Sequence, residues 1–291
     1  KRSLYPRAMR TWLLLFFLVN TTYLSYGQDG FIPGLPKLAY WQVGQQPTTV
    51  IVLHGGPGAT HQYLRPEFDA LTKTARVIYY DQRGCGKSDP AAGYTWQEHV
   101  ADLKRLMNTL AKNQPVFLAG SSWGSFLAVL YAYTYPQDVK GVILTGTVTW
   151  LGQEGVYQRN SLLTKRVVKA LKGSIGETGL VSRQTPGAAL QQDTVSISKE
   201  IEITSGLPQY EPVHSLISGP KAERLKQIRL PILLFNGTKS VHFDGASEYL
   251  ALFPQIRVQT VRDAGHDPWL RDPNLFFSIS NDFIRDITDK D

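Results

Sequence analysis

The sequence is poor in the residues that build covalent cross-links and metal sites. Cys85 is the only cysteine among 291 residues, so no intrachain disulfide can form. No group of His, Cys, Asp and Glu residues has the spacing of metal ligands, and neither a phosphate-binding loop nor a dinucleotide fingerprint is present. Internal repeats and low-complexity segments are also lacking. The sequence therefore predicts a globular protein that works without a metal or cofactor.

The net positive charge is small once the amino-terminal segment is set aside. The formal net charge is +7, but Lys1, Arg2, Arg7 and Arg10 contribute four of these charges, and no acidic residue precedes Gln28. The remaining chain has no basic cluster interleaved with aromatic residues, which is the usual pattern of a nucleic-acid-binding surface. We therefore expect a small-molecule or short-peptide partner and no nucleic acid.

The amino-terminal segment lacks an apolar run long enough to span a bilayer. Trp12–Val19 contains eight apolar residues, far fewer than the roughly 20 that a transmembrane helix needs. Arg7 and Arg10 precede this run, and Ser25–Gly27 offers a small-residue cleavage site before Gln28. This order predicts a secretory signal peptide with a short upstream remnant in residues 1–27, and hence a secreted or periplasmic protein. An uncleaved amino-terminal anchor is the alternative.

Apolar residues make up 42% of the chain, enough for one large core. Short Val-, Ile- and Leu-rich runs alternate with helical patterns, which favours a parallel sheet with helices on both faces. The predicted helices are Trp96–Leu110 and Ser125–Tyr135, and an edge strand is expected at Leu38–Trp41. The predicted core strands are Val50–Leu53, Val77–Tyr80, Val116–Ala119, Val139–Leu144, Pro231–Phe235 and Ile256–Val261.

The alternation stops between residues 151 and 226. Glycines, prolines and polar residues interrupt short amphipathic pieces there, and Ser161–Lys172 has the best helical spacing. We therefore divide the mature chain into a core, residues 28–150 and 227–291, and an inserted cap subdomain, residues 151–226. A cap of this size predicts a small, mainly helical lid that excludes water and shapes a substrate pocket.

The sharpest chemical signal is a serine at the junction of a strand and a helix. Ser122 is the centre of Gly120-Ser121-Ser122-Trp123-Gly124, which has the G-x-S-x-G spacing and directly follows the apolar run Val116–Ala119. A strand that turns at once into a helix strains its corner residue and projects that side chain above the sheet. Ser122 is therefore the predicted nucleophile.

Two further loops supply what a serine nucleophile needs. Thr49–Leu53 runs into His54-Gly55-Gly56-Pro57-Gly58, a loop that can turn a backbone N–H towards the serine. We predict that the amides of Gly56 and Trp123 form an oxyanion hole. His266 follows the strand-like Ile256–Val261 through Ala264-Gly265 and is the predicted general base.

Three motifs together carry a resemblance to a known family. His54–Gly58, the segment Asp81–Ser88 and Ser121–Ser125 resemble the α/β-hydrolases of the prolyl aminopeptidase, or proline iminopeptidase, group. The resemblance implies an α/β-hydrolase fold, a Ser-His-Asp acyl-enzyme mechanism and a structural role for Asp81, Arg83 and Ser88 in tying turns together.

The resemblance also predicts an acid that the sequence lacks at the expected position. In the family an Asp stands three residues after a glycine that corresponds to Gly237, and Ser240 occupies that position here. Asp244 is our candidate for the acid of the triad, although it is also well placed as the N-cap of a following helix. Glu154 is a second candidate, and Ser240 or a water molecule holding the imidazole is the third possibility.

The sequence leaves the substrate class open. A serine at the corner excludes chemistry that needs a carboxylate nucleophile, so the expected reaction is cleavage of a small ester, an amide or an amino-terminal peptide bond. The family binds the substrate amine through cap acids near a Trp-rich motif, but no tryptophan lies between Leu151 and Pro268. A carboxylesterase of the same fold, and a binding or sensor protein on a degraded hydrolase scaffold, are the alternatives.

Overall fold

A computed structural model of the protein describes residues 28–147, 207–216, 219–240 and 245–290. Eight strands of these residues form one sheet in the order β1-β2-β4-β3-β5-β6-β7-β8. Strands β3 to β8 run parallel, whereas β2 is antiparallel to both β1 and β4. The strands are β1 (Gly30–Ile32), β2 (Leu38–Val43), β3 (Thr49–Leu53), β4 (Arg76–Tyr80), β5 (Val116–Ser121), β6 (Val139–Thr145), β7 (Ile232–Gly237) and β8 (Arg257–Val261).

The central strands are apolar because helices cover both faces of the sheet. Every residue of β3, β5 and β7 is buried. Val116 and Leu118 of β5 pack into one hydrophobic cluster, and Phe117 and Ala119 pack into a second cluster on the opposite face. This two-sided burial is typical of parallel sheets and explains why the strands read as continuous apolar runs.

From β4 onward, helices alternate with the strands of the sheet along the chain. They are α1 (Trp96–Leu110), α2 (Trp123–Thr134), α3 (Leu207–Ser215), α4 (Ala222–Leu225), α5 (Gly245–Leu252), α6 (Pro268–Arg271) and α7 (Pro273–Thr288). Three short 3₁₀ helices, His61–Leu64, Glu67–Lys73 and Pro136–Asp138, join the remaining elements. None of the helices in this part of the chain is long and apolar enough to cross a bilayer.

Helix α1 has the bounds that its periodicity predicted. Thr95 and Glu98 form a capping box, in which each side chain accepts from the other residue's backbone N–H. This arrangement satisfies two of the amides that a helix start leaves without partners. The described part of the cap meets α1 at this end, because Glu211 of α3 accepts from Tyr94 N–H at 3.0 Å and Ser215 Oγ accepts from Trp96 N–H at 2.8 Å.

One prediction about the sheet was wrong. The strand at Leu38–Trp41 exists as β2, but it is not at the edge, because Gly30–Ile32 pairs with it on its outer side. The fold class itself is confirmed as a mostly parallel α/β sheet with helices on both faces. The predicted helix Ser161–Lys172 and most of the cap, residues 151–226, lie outside the described residues, so the domain boundaries stay predictions.

Candidate active site

Ser122 occupies the strained corner that its motif predicted. It lies between β5 and α2 with φ 54° and ψ −118°, a left-handed backbone conformation that favours glycine. Its backbone N–H donates to Thr145 O at the end of β6, with an N to O distance of 2.9 Å. The corner is therefore held against the neighbouring strand.

The two glycines of the motif allow the backbone to pass closely. A Cβ at Gly120 would lie 2.6 Å from Ser125 N and would overlap Gly124 O, while a Cβ at Gly124 would lie 2.6 Å from the carbonyl carbon of Leu53 and overlap its oxygen. Because these contacts are with backbone atoms, no side chain can move away to make room. The sequence motif therefore reflects direct contact of α2 with β3 and β5.

The glycine loop after β3 passes directly beside the nucleophile. A Cβ at Gly55 would lie 2.9 Å from Ser122 Cβ and 2.9 Å from Tyr63 Oη, so a side chain at this position would displace both residues. Tyr63 Oη accepts from Gly55 N–H at 2.8 Å. Burial and the charge of Asp267 raise the pKa of the Tyr63 hydroxyl, which keeps it protonated at neutral pH.

The two predicted oxyanion donors belong to the helix start and to the glycine loop that adjoin Ser122. Trp123 is the first residue of α2, where backbone amides have no partner within the helix. Gly56 has φ +113° and follows the residue that contacts Ser122. Within the described chain, neither amide donates to another backbone group. Both N–H groups are therefore available to a developing oxyanion.

The predicted base reaches the same corner from the carboxyl end of β8. The imidazole of His266 lies against Gly146, because a Cβ at this glycine would be 3.1 Å from both His266 Nε2 and Cε1. Gly146 directly follows Thr145, whose carbonyl holds Ser122 N–H. The structure thus brings Ser122 and His266 to the same end of β6, although the two residues are far apart in sequence.

The loop that carries His266 is fastened to the loop after β7. Lys239 N–H donates to Ala264 O at 2.9 Å, and Asp263 N–H donates to Thr238 Oγ1 at 2.9 Å. Lys239 Nζ also pairs with Asp263 Oδ1 at 3.0 Å, which is a solvent-exposed ion pair. These contacts fix the backbone just before the histidine.

The acid of the triad stays a prediction. Ser240, at the position where the family has an Asp, is half-buried, and its N–H donates to Gly237 O at 3.1 Å. Asp244 and Glu154 lie outside the described residues. Helix α5 begins at Gly245, the residue after Asp244. This start is compatible with Asp244 as the acid of the triad and with Asp244 as the N-cap of α5.

His54 acts as a structural residue in the glycine loop. Its Nε2 accepts from Gln82 N–H at 2.9 Å, which assigns the proton to Nδ1, and Nδ1 then donates to Gly55 O at 3.0 Å. Burial lowers the pKa of His54 to about 4, so the imidazole is neutral at physiological pH. A neutral ring is the form that both hydrogen bonds require.

Gln82 connects this loop to the residue after the nucleophile. Its side-chain Nε2 donates to His54 O at 2.8 Å, and its Oε1 accepts from Trp123 Nε1 at 2.8 Å. All three residues are almost fully buried. Sequence reasoning missed the roles of Gln82 and Tyr63, because their partners lie 8 to 41 residues away and no local pattern marks them.

Asp81 ties three turns together beneath the site, as the resemblance implied. Its Oδ1 accepts from His61 Nδ1 at 2.8 Å, its Oδ2 accepts from Lys87 N–H at 2.9 Å, and its backbone oxygen accepts from Ser88 Oγ. Burial raises the pKa of Asp81, but the hydrogen bond and charge of His61, the charge of His54 and the Lys87 N–H together lower this pKa below its ordinary value. His61 is therefore a partner of Asp81 and not a competing base.

Arg83 forms a buried ion pair that joins the same loop to α1. Its Nε donates to Asp102 Oδ2 at 2.8 Å, and its Nη1 donates to Gly93 O at 2.6 Å. His99, one turn away on α1, packs edge-on against Trp123 with ring centroids 5.6 Å apart. Burial lowers the pKa of His99 well below its ordinary value, so this histidine contributes a neutral ring to the core.

The comparisons with known proteins agree with this arrangement. Residues 48–273 match the family model described as alpha/beta hydrolase fold. The chain is 29% identical over 217 residues to a proline iminopeptidase of Lactiplantibacillus plantarum, covering 66% of this chain and 75% of that protein. It is 28% identical over 264 residues to a proline iminopeptidase of Lactobacillus delbrueckii subsp. bulgaricus, covering 81% and 89%.

Solved structures show the same fold at lower sequence identity. A thermophilic esterase from Thermogutta terrifontis superposes with a TM-score of 0.65 at 20% identity, covering 89% of this chain and 97% of that one. An enol-lactonase from Burkholderia xenovorans superposes with a TM-score of 0.61 at 19% identity, covering 89% and 98%. The resemblance inferred from the three sequence motifs is thereby confirmed.

Proposed function

The chain is a hydrolase that belongs to the α/β-hydrolase fold family, and we propose that it cleaves small ester, amide or amino-terminal peptide bonds through an acyl-enzyme on Ser122. The observation that carries the proposal is the corner at Ser122, with the His266 imidazole against the next strand end and with the amides of Gly56 and Trp123, which donate to no other backbone group within the described residues. This set contains a nucleophile, a base and an oxyanion hole.

In the proposed reaction, Ser122 Oγ attacks the substrate carbonyl carbon and its proton passes to His266 Nε2. The carbonyl oxygen takes up negative charge, which the N–H groups of Gly56 and Trp123 stabilise. Collapse of the tetrahedral intermediate expels the alcohol or amine, which receives the proton from His266. Water then attacks the acyl-enzyme by the same steps, releases the carboxylic acid and restores Ser122.

We favour substrates with a free amino terminus, as the names of the similar proline iminopeptidases suggest. A carboxylesterase is the second candidate, because the segment from Leu151 to Pro268 contains no tryptophan of the kind expected near an amine-binding acid. Glu211, an acid in the described part of the cap, already accepts from Tyr94 N–H. We also propose export, on the strength of the signal-like segment in residues 1–27.

A fluorophosphonate probe tests the serine mechanism. The wild-type protein is expected to become covalently labelled, and Ser122→Ala is expected to abolish labelling without unfolding the protein. Ser125→Ala is the matched control, because Ser125 is a buried hydroxyl in the same motif that bonds to Gly120 O and Thr145 O. Labelling that persists in Ser122→Ala, or an unlabelled and folded wild type, would overturn the proposal.

A substrate panel separates the two candidate functions. Alanine and proline arylamides, with and without an amino-terminal acetyl group, are compared with p-nitrophenyl esters of short acids. An aminopeptidase cleaves the free-amine arylamides and loses activity when the amine is acetylated. Efficient cleavage of the esters alone, with no difference between free and acetylated amides, would instead assign the protein as a carboxylesterase.

A further inference from the structure

Gln82 contacts both segments that supply the oxyanion donors, which are the glycine loop after β3 and the start of α2. Its side-chain amide bonds to His54 O and to Trp123 Nε1, and its backbone N–H bonds to His54 Nε2. His54 is two residues before the Gly56 donor, and Trp123 is itself the second donor. One side chain therefore connects the glycine loop to the start of α2.

The chemistry of these contacts requires an amide in one orientation. The indole Nε1–H can only donate and the His54 carbonyl can only accept, so the glutamine oxygen must face Trp123 and its nitrogen must face His54. A carboxylate at residue 82 would place an oxygen against the carbonyl, and an aliphatic side chain would leave two buried polar groups without partners. The site is thus specific for glutamine.

The spacing between the two loops has little other freedom. Gly124 packs directly on the same stretch of β3, and a Cβ there would lie 2.9 Å from His54 O. The His54 carbonyl is therefore enclosed by α2 on one side and by the Gln82 amide on the other. A change in length or polarity at residue 82 must shift the loop, the helix start or both.

We propose that Gln82 is a positioning residue that sets the distance between the amides of Gly56 and Trp123. The inference rests on the proposed serine mechanism, in which those two N–H groups stabilise the oxyanion. Oxyanion donors work because they are fixed before charge develops, and misplacement by about 1 Å can cost roughly a hundredfold in rate. Within the described residues, Gln82 bonds to His54 and Trp123 and not to Ser122 or His266, so its effect acts through the two segments that carry the donors.

The test compares Gln82→Leu with Trp123→Phe, which removes the Nε1 donor and keeps the backbone amide. We expect kcat on the best ester or amide of the substrate panel to fall about tenfold to a hundredfold in Gln82→Leu, and less in Trp123→Phe, with KM changed less than threefold. The fluorophosphonate labelling rate is expected to fall in parallel. The double variant should lose less than the product of the two single losses, because both changes remove the same hydrogen bond.

A thionoester substrate distinguishes positioning from general destabilisation. Sulfur is a poor fit for an oxyanion hole, so the rate ratio of an oxygen ester to its thionoester measures how well the hole is formed. This ratio is expected to fall in Gln82→Leu. Asn281→Leu is the matched control, because Asn281 is a buried amide that also bridges two segments, bonding to Ala70 O, Phe277 O and Thr74 Oγ1 away from the site.

Each outcome decides the matter. If Asn281→Leu lowers the melting temperature and leaves the ester ratio at the wild-type value while Gln82→Leu lowers the ratio, the proposal stands. If Gln82→Leu behaves like Asn281→Leu, or if it fails to fold and Trp123→Phe keeps the wild-type ratio, the proposal is wrong while the serine mechanism survives. An unlabelled wild-type protein overturns the serine mechanism, and the positioning role with it.

Discussion

Replacing Ser122 by glycine is expected to stabilise the protein while abolishing its activity. The serine has φ 54° and ψ −118°, where a Cβ atom is strained, and glycine adopts this conformation without that strain. Ser122→Ala removes the same hydroxyl but keeps the Cβ atom. The difference in stability between the two variants therefore measures the strain at the corner and not the loss of the nucleophile.

The magnitude follows from two opposing effects. A non-glycine residue held in such a region costs about 1–3 kcal/mol. Glycine also gives the unfolded chain more conformational freedom, which stabilises the unfolded state by about 0.4–1 kcal/mol and opposes the first effect. We therefore expect Ser122→Gly to exceed Ser122→Ala by about 1 kcal/mol in free energy of unfolding, or about 2 °C in melting temperature for a domain of this size.

Urea unfolding followed by circular dichroism provides the measurement. Ser280 supplies the control, because it lies in the middle of α7 with helical geometry, and its hydroxyl bonds to Phe276 O. At that position glycine is expected to be less stable than alanine by about 1 kcal/mol, the opposite sign. A Ser122→Gly protein that is no more stable than Ser122→Ala would refute the claim that the corner stores strain.

Three further predictions concern the surroundings of the site. Burial lowers the pKa of His54 from 6.5 to about 4, so between these pH values the unfolded chain binds a proton that the folded chain excludes. The free energy of unfolding is therefore unaffected by His54 above pH 6.5 and should fall by up to about 3 kcal/mol as the pH drops to 4. His54→Gln should lack this loss in urea titrations at each pH. Arg83→Met removes one ion-pair partner of the buried Asp102 carboxylate, which keeps Arg105 Nη2 at 2.9 Å. The variant should therefore cost about 2–3 kcal/mol of unfolding free energy at pH 7, less than the roughly 3–5 kcal/mol of an uncompensated buried charge, and a cost below about 1 kcal/mol would contradict a buried ion pair. Asp244→Asn is expected to lower kcat at least about a hundredfold if this carboxylate orients His266, and a loss below about threefold would show that the residue only caps α5.

Local patterns predicted most of the fold because its core elements carry their information locally. The bounds of α1 follow from apolar residues at helical spacing and from Thr95 and Glu98, whose capping box fixes the residue at which the helix begins. The core strands are buried on both faces and so appear as short apolar runs. Strand β1 was not predicted, because Gly30–Ile32 is too short for any period to be visible, and its pairing with β2 is not a local property.

The site was predictable where its geometry forces a residue type, and not where only distance matters. Ser122 and its flanking glycines are fixed by backbone contact at a sharp turn, so they form a motif. Gln82 bonds to residues 28 and 41 positions away, and any glutamine in any loop has the same local appearance. The roles of such residues depend on which segments the sheet brings side by side.

The parallel order of the sheet has a consequence for synthesis of the protein. The oxyanion loop follows β3, the proposed nucleophile follows β5, and the proposed base follows β8, the last strand of the described sheet in chain order. Domains fold as the chain leaves the ribosome from its amino terminus. Until the segment bearing His266 has emerged and docked, a nascent chain carries the proposed nucleophile without its proposed base, so the hydrolytic activity that we propose arises only after β8 has left the ribosome.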